Sequence, residues 1–532
     1  MTAPSSDRTR SDIVASLATT AWDLVVIGGG ITGAGILREA VRRGHKALLL
    51  ERRDFAWGTS SRSSKLVHGG LRYLKEGKVS LTWESVRERE RLMAEGPGLV
   101  EPLGFLLANY KGDKTPPLLF GIGLTLYDLL AATSRKEASG LAHHRHYGAD
   151  ELRRLAPRLS ADGLLGGFHY QDAGTDDARL VLRVLAEAEA SGGTVLNYAS
   201  AAGLLQAKGV AAGVAVRDEA TGQTHEVKAK AVINATGVWV DALRKEAGGA
   251  PRMRPLRGSH LVVPQAKLPV IHALSVLHPD DGRPVFVFPW EGVTVIGTTD
   301  VDHRQDLEDE PAIDAAEVAY LMEIVDRRFP SAGLKRSDVI ATYSGVRPVV
   351  GSGKKDPSKE SRDHVIWNEQ GLVTVTGGKL TTFGIIAHDA LKAVASRIGA
   401  GSRKADGSRL DGVTTDASGI PEFRRRRLLG RYGNASPALL AAAHDGELVE
   451  IPGTPTLWAE LRHAARHEHV VHLDDLLLRR VRIGLCLPDG AAEHLVEIRG
   501  VTQGELGWDD ARWAAEEKAY RALWKRCYGP VG

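Results

Sequence analysis

Gly28, Gly30 and Gly33 stand in the spacing G-x-G-x-x-G, directly after the apolar run 24–27 and directly before a helix-periodic stretch at 36–43. Such a turn handles phosphate without any side chain. The first glycine takes the tight turn, the second lets backbone approach a pyrophosphate, and the third lets helix and strand pack closely. The N–H groups at the helix start then face the anion. A second strand, 47–50, ends on Glu51, 18 residues past Gly33, where a carboxylate accepts hydrogen bonds from a ribose hydroxyl. Strand, glycines, helix, strand and acid in this order read as a dinucleotide-binding unit.

Three further stretches suit the same ligand. Residues 59–64, TSSRSS, run into Lys65, Leu66 and the turn His68-Gly69-Gly70, a loop whose hydroxyls and N–H groups can wrap a cofactor. The apolar run 231–233 ends on Ala235-Thr236-Gly237, where small residues let backbone pass close to a ligand. A strand at 373–375 leads into Gly377-Gly378-Lys379-Leu380-Thr381, which opens a helix to about 397 and makes a second anion-ready N-terminus. A cation at a helix start is unfavourable unless an anion also sits there, which points to a function for Lys379.

The elements that must position these groups divide the chain. Its 532 residues correspond to about three or four domain-sized units. Residues 1–20, rich in Ser, Thr and Ala, read as a flexible tail without a signal-peptide core. The oxidoreductase region spans 21–398, with cofactor-binding parts at about 21–75, 150–250 and 340–398 and substrate-domain parts at about 76–149 and 251–339. From 253 onward the pattern is antiparallel, with 289–292 as a four-residue hairpin loop. Asp176 and Asp177 read as caps of a helix starting near Ala178. A Gly/Ser/Asp-rich stretch at 399–420 reads as a linker, and 421–532 as a helical C-terminal domain. The fold class is therefore α/β: a Rossmann-type cofactor domain, an antiparallel-sheet substrate domain and a helical addition.

A net charge of +3 demands no nucleic acid partner. The two cysteines are too few for a disulfide framework and fit a reducing, cytoplasmic setting. No run of 18 apolar residues is present to span a membrane. The stretch 115–127, flanked by Lys111, Lys114, Arg135 and Lys136, reads either as a buried helix or as a peripheral contact with anionic headgroups. His463, His467, His469 and His472, like His143, His144 and His146, lack a metal-ligand frame, so no metal is expected.

The motifs VVIGGGITGAGI, TSSRSSKLVHGGLRYL, DDARLVL, INATGVWV, GSHLVVP, IGTTD, YSGVRP and GGKLTT, in that order, make the chain resemble the FAD-dependent glycerol-3-phosphate dehydrogenases over about residues 22–390. LDDLLLRR extends the likeness into the helical domain. The resemblance implies oxidation of sn-glycerol 3-phosphate to dihydroxyacetone phosphate, with FAD as first acceptor and a quinone next; no histidine or cysteine sits in an evident attachment motif, so the FAD is expected to be noncovalent. It implies FAD contacts at Gly28, Gly30, Thr32, Gly33, Glu51, Thr59, Ser60, Ser64, Lys65, Leu66, His68, Gly69, Gly70, Ala235, Thr236, Gly237, Gly378, Lys379, Leu380 and Thr381. Arg72, Arg362 and Lys379 would hold the phosphate, Tyr73 would orient the substrate, and Arg347 would hold the reacting oxygen. His260 is the best proton acceptor, because an imidazole can be neutral at working pH whereas arginine cannot. An oxygen-using glycerol-3-phosphate oxidase, a flavin amine or amino-acid oxidase, and a non-catalytic flavin protein docking on membranes or partners stay as alternatives. A homodimer stays open.

Overall fold

The computed structural model describes residues 9–71, 74, 77–113, 116–132, 143–351, 353, 360 and 363–531. Two sheets organise them. In the first, the strands Leu372–Gly377, Thr224–Asn234, Trp22–Ile27, Ala47–Leu50 and Thr194–Leu196 lie parallel in that order. His364–Glu369 adds an antiparallel edge, and Ala199–Ala207 and Val210–Asp218 continue the sheet beyond Thr224–Asn234. Residues 24–27 of the strand Trp22–Ile27 are apolar without alternation because both faces are covered there. Leu24 and Val26 pack under the helices Ile31–Arg42, Asp177–Ala190 and Phe383–Ile398, while Val25 and Ile27 pack on the opposite side with Leu48, Leu50 and Val232.

That opposite side also seats a short N-terminal helix. Residues 10–16 form the helix Arg10–Ser16, where the 1–20 stretch reads from sequence as a flexible tail. Thr9 and Asp12 make a capping box, and Ile13 and Leu17 are buried in the core. Two apolar residues four apart suffice to seat one turn of helix, too short a period to stand out among small polar residues.

The second sheet runs Val301–Asp302, Met253–Pro264, Val293–Gly297, Pro284–Trp290, Ala273–Leu277, Val100–Tyr110, Leu164–Thr175 and Leu66–Val67. Its neighbours are antiparallel except for Ala273–Leu277 beside Val100–Tyr110. Ala341–Val350 pairs with Met253–Pro264 over ten positions. Hence segments 66–67, 164–175 and 341–350, which the sequence groups with the cofactor-binding parts, build the second sheet instead. A strand pattern reveals a strand but not its partner. The hairpin loop is two residues, not four: Trp290 pairs with Val293, and Glu291 and Gly292 take φ 45° and 86°. Two positive φ values match the twist of the flanking strands, so Pro289 and Trp290 stay in the strand.

The helical domain lies on the second sheet. Leu476, Leu477, Trp513 and Trp524 share one core with Phe105, Val262, Trp290 and Tyr343. The 399–420 stretch, read as a linker, is fastened down: Leu410 and Ala417 are buried, and Arg38 and Arg42 bond Asp411 and Ser408.

Candidate active site

The carboxyl ends of four parallel strands meet at one edge of the first sheet, the place where α/β sheets bind ligands. Gly28 closes the first strand with φ 114°, and a Cβ there would lie 2.5 Å from Ala235 O. A Cβ on Gly33 would lie 1.8 Å from Gly28 O. Both glycines are therefore required by close approach. The helix Ile31–Arg42 starts on Gly30 with no side-chain cap from that residue, and Thr32 is half-buried in its first turn. Ile31 N donates to Ser60 Oγ at 3.0 Å. Glu51 sits at the next strand end, its Oε2 receiving Gly29 N at 2.7 Å and its Oε1 receiving Arg53 N at 2.9 Å. Burial pushes its carboxyl pKa up, against the pull of those two N–H groups.

The third strand end carries Ala235-Thr236-Gly237, where Thr236 Oγ1 donates to Asn234 Oδ1 at 2.7 Å and Thr376 Oγ1 donates to Gly237 O at 2.9 Å. At the fourth, Gly377 and Gly378 take φ 76° and 75° before the turn Leu380–Thr382, from which Thr381 Oγ1 reaches His68 O at 3.4 Å. Glycine turn, terminal carboxylate and small-residue strand ends fit an adenine dinucleotide. The crowding at Gly28 and Gly33 is the observation that carries this fit.

The loop 59–70 crosses from this edge to the second sheet. Thr59 Oγ1 donates to Val346 O at 2.6 Å, and Tyr343 OH donates to Ser63 O at 3.1 Å. Ser64 Oγ lies 2.9 Å from His260 Nε2. Leu66 and Val67 pair with Gly174 and Ala173, and Gly69 N donates to Tyr127 OH at 2.8 Å. Lys65 turns its ammonium away from the edge, to Asp177 at 3.0 Å and Ser61 O at 3.1 Å. Burial first, then Arg482, lowers its pKa to about 8, and the ammonium faces the rings of Trp290 and Tyr343. With φ 54°, Lys65 can offer a cofactor its backbone, not its charge. Asp176 caps the helix Asp177–Ala190 through Arg179 N, whereas Asp177 holds Lys65.

His260 and Arg347 are brought together on adjacent strands of the second sheet. His260 pairs with Tyr343, Gly258 with Gly345 and Leu256 with Arg347, so alternate positions put all of them on one face. Glycines clear that face. A Cβ on Gly297 would lie 2.2 Å from His260 Cδ2, and one on Gly258 would lie 2.4 Å from Arg347 Nη2. The imidazole stacks on Tyr343 with ring centres 4.4 Å apart. His260 is buried, and that burial, with the charges of Lys65 and Arg347, pulls its pKa well below 6.5. Arg347 is half-buried and is aimed by Asp300 Oδ1 at 2.8 Å and Thr298 Oγ1 at 3.1 Å. Lys379 Nζ donates to Ser85 Oγ at 2.9 Å. Arg72, Tyr73 and Arg362 lie outside the described residues.

Sequence reasoning missed Asp300 as the group that aims Arg347, although it closes the quoted IGTTD motif. Ser64 as the partner of His260, Tyr343 as its platform and Asp177 as the anchor of Lys65 had no local signal at all. The histidine clusters are taken up elsewhere: His469 bonds Glu189, His472 bonds Glu516, and His144 bonds Asp128. Among the described residues His278, Asp280 and Glu323 do cluster, but His278 Nδ1 accepts Asp280 N and Nε2 faces Tyr320 O.

The family described as FAD dependent oxidoreductase matches residues 23–388, and that described as the C-terminal domain of alpha-glycerophosphate oxidase matches 390–513. The aerobic glycerol-3-phosphate dehydrogenase of Staphylococcus haemolyticus is 33% identical, covering 93% of this chain and 94% of its own. That of Staphylococcus aureus is 34% identical, covering 88% of each. Among solved structures, the glycerol-3-phosphate dehydrogenase of Bacillus halodurans, complexed with FAD, superposes with a TM-score of 0.78 at 28% identity over 98% of both chains. The FAD-bound L-alpha-glycerophosphate oxidase of Mycoplasma pneumoniae shares the fold at a TM-score of 0.57 and 17% identity, covering 74% of this chain and all of its own.

Proposed function

We propose, since the chain belongs to the family of FAD-dependent glycerol-3-phosphate dehydrogenases, that it oxidises the secondary alcohol of sn-glycerol 3-phosphate to the ketone of dihydroxyacetone phosphate. FAD, when bound, supplies the hydride acceptor for the C–H bond. The glycine turn, Glu51 and the strand ends at 235–237 and 377–381 hold it at the edge of the first sheet. The observation that carries the reading is the glycine-cleared face on which His260 and Arg347 lie together.

On that face each residue has a task. His260 is neutral at working pH and takes the hydroxyl proton at Nε2. Because His260 is buried while Ser64 is half-buried, the Ser64 hydroxyl passes the proton, giving its own to Nε2 as it receives one from the alcohol. Arg347, held by Asp300, steadies the oxygen as negative charge develops. Lys379, with Arg72 and Arg362, holds the phosphate, and Tyr73 orients the glycerol chain. The visible spectrum under anaerobic conditions tests the whole reading. Loss of the oxidised flavin band on adding sn-glycerol 3-phosphate is expected, and a band that stays put refutes the substrate. Arg347→Ala and Lys379→Ala should lose turnover by more than tenfold, a far larger effect than on FAD retention.

The next acceptor is a quinone taken from a membrane surface. The helix Pro117–Ala132 supports this: Leu118, Leu119, Ile122 and Leu129 are exposed by 57–74% along one side, while Leu124, Tyr127 and Ala131 anchor the other. No helix among the described residues is long and apolar enough to cross a membrane; the contact proposed for the helix is peripheral, at the cytoplasmic face. Reduction of a soluble quinone without peroxide is expected. Stoichiometric peroxide would make the chain an oxidase instead.

A further inference from the structure

Residues 52–61 carry the chain from Glu51 to the cofactor loop, and they touch the glycine turn twice. Ala56 N donates to Gly29 O at 3.0 Å, and Ser60 Oγ receives Ile31 N at 3.0 Å. Ala56 takes φ 60°, a left-handed conformation that an L-residue keeps only when its surroundings enforce it. The enforcement comes from the far end of the chain. Asp54 is fully buried, and Arg480 grips it from Nη1 at 2.5 Å and Nη2 at 2.7 Å, with Arg479 Nε on the same carboxylate. Arg482 Nη2 donates to Ser61 O at 2.7 Å. Tyr528 OH receives Arg62 Nη2 at 3.0 Å.

The helical domain is built locally for this reach. Leu476–Arg480 is a wide π-turn closed by Val481 N on Leu476 O at 3.1 Å, and Arg482 follows in a left-handed conformation at φ 65°. The wide turn lets Arg479 and Arg480, neighbours in sequence, share one carboxylate. Asp475 and Asp474 hold Arg479 from behind at 2.6 and 2.7 Å, and Tyr198 OH bonds Asp475 at 2.6 Å. Burying three guanidiniums costs much desolvation, and an apolar contact would serve stability as well. What forked charge pairs add is a fixed position.

The geometry points to a role for the helical domain that rests on the FAD reading above: Arg479, Arg480 and Arg482 are positioning residues that fix loop 54–61, and through Ala56 and Ser60 fix the glycine turn that seats the FAD pyrophosphate. Contacts at 54 and 61 bracket those at 56 and 60, so the turn cannot shift while both ends are held. The test uses the full chain stripped of flavin, with Arg480→Lys, Arg482→Met and, as control, Arg499→Gln, which alters contacts with Gln503 and Asp510 that do not touch the loop.

FAD affinity is read by flavin fluorescence titration, the seating of bound flavin by its visible circular dichroism, and loop order by amide exchange at Ala56 and Ile31. The two loop-facing variants should weaken FAD binding at least tenfold, change the flavin dichroism and lose protection at both amides, with far-ultraviolet dichroism unchanged. Arg499→Gln should match wild type. Affinity within twofold of wild type and an unchanged flavin signal overturn the proposal, whatever happens to the melting temperature. If Arg482→Met does not fold, Arg480→Lys, which keeps the charge but loses the fork, decides on the same readouts. Wild-type protein that fails to bind FAD would overturn the cofactor reading itself, a different failure.

Discussion

A methyl group at position 297 should cripple the chemistry while leaving the cofactor in place. In Gly297→Ala the new Cβ would lie 2.2 Å from His260 Cδ2, 2.7 Å from Cγ and 3.0 Å from Nε2. Carbon atoms rest about 3.5 Å apart or more, so ring and methyl must separate by roughly 1.3 Å. The imidazole has little room to yield, because Tyr343 stacks against it from the strand on the other side. A displacement of about 1 Å at a reacting group costs on the order of 100-fold in rate, or roughly 2.7 kcal/mol of barrier. The glycine turn belongs to the other sheet, so FAD content should stay at the wild-type level. Stopped-flow flavin reduction at saturating sn-glycerol 3-phosphate, without oxygen, reads the step directly. A reduction rate within threefold of wild type, with full flavin content, would refute the assignment of His260 as the proton acceptor.

Other perturbations reach different parts of the molecule. Gly33→Ala brings a Cβ to 1.8 Å from Gly28 O and should yield protein without flavin, read as the ratio of 450 to 280 nm absorbance; a normal ratio removes the glycine turn from the site. His463 is buried, and burial lowers its pKa to about 4 from 6.5, so the unfolded chain binds the extra proton first as pH falls. Its contribution is complete above pH 6.5 and is lost by about pH 4, on the order of 3 kcal/mol. Urea titrations should show His463→Gln with a flatter acid limb than wild type, and parallel limbs would contradict the assignment. Leu118→Ser with Ile122→Ser should abolish flotation with anionic vesicles without changing flavin reduction by substrate; unchanged flotation would place the membrane contact elsewhere.

What the sequence made legible is what the chain does locally. The glycine turn, its helix and Glu51 lie within thirty residues, and each carries a requirement that residue type alone expresses. Gly33 is the clearest case, since any side chain would strike Gly28 O. Lys379 stands out in the sequence by its misfit, a cation at a helix start, and its role there stays a proposal. The sheet membership of Ala341–Val350 was not, because TYSGVRP reads as extended in either sheet and only ten pairs with Met253–Pro264 decide. Asp54 and Arg480 were also hidden. Each looks in its own segment like a solvated charge, and they meet across 426 residues with nothing periodic to announce it.

That division bears on how the site is aligned. The proposed proton acceptor and oxygen holder stand on the rigid second sheet, while the proposed FAD seat stands on turns at the edge of the first. A rigid sheet holds its own side chains to fractions of an ångström, but it cannot set its distance to another sheet. Loop 59–64 sets it, through Thr59 to Val346 O, Ser63 O to Tyr343, and Ser64 to His260. One of these is the very bond along which the proton is proposed to travel. Register between cofactor seat and base is thus carried by side chains that are small and polar, which explains why this loop is rich in hydroxyls. It also explains why the stretch 54–61 that leads into it is held by arginines at Asp54 and Ser61 O: hydrogen bonds of roughly 1 kcal/mol each hold a loop only where its backbone is already placed.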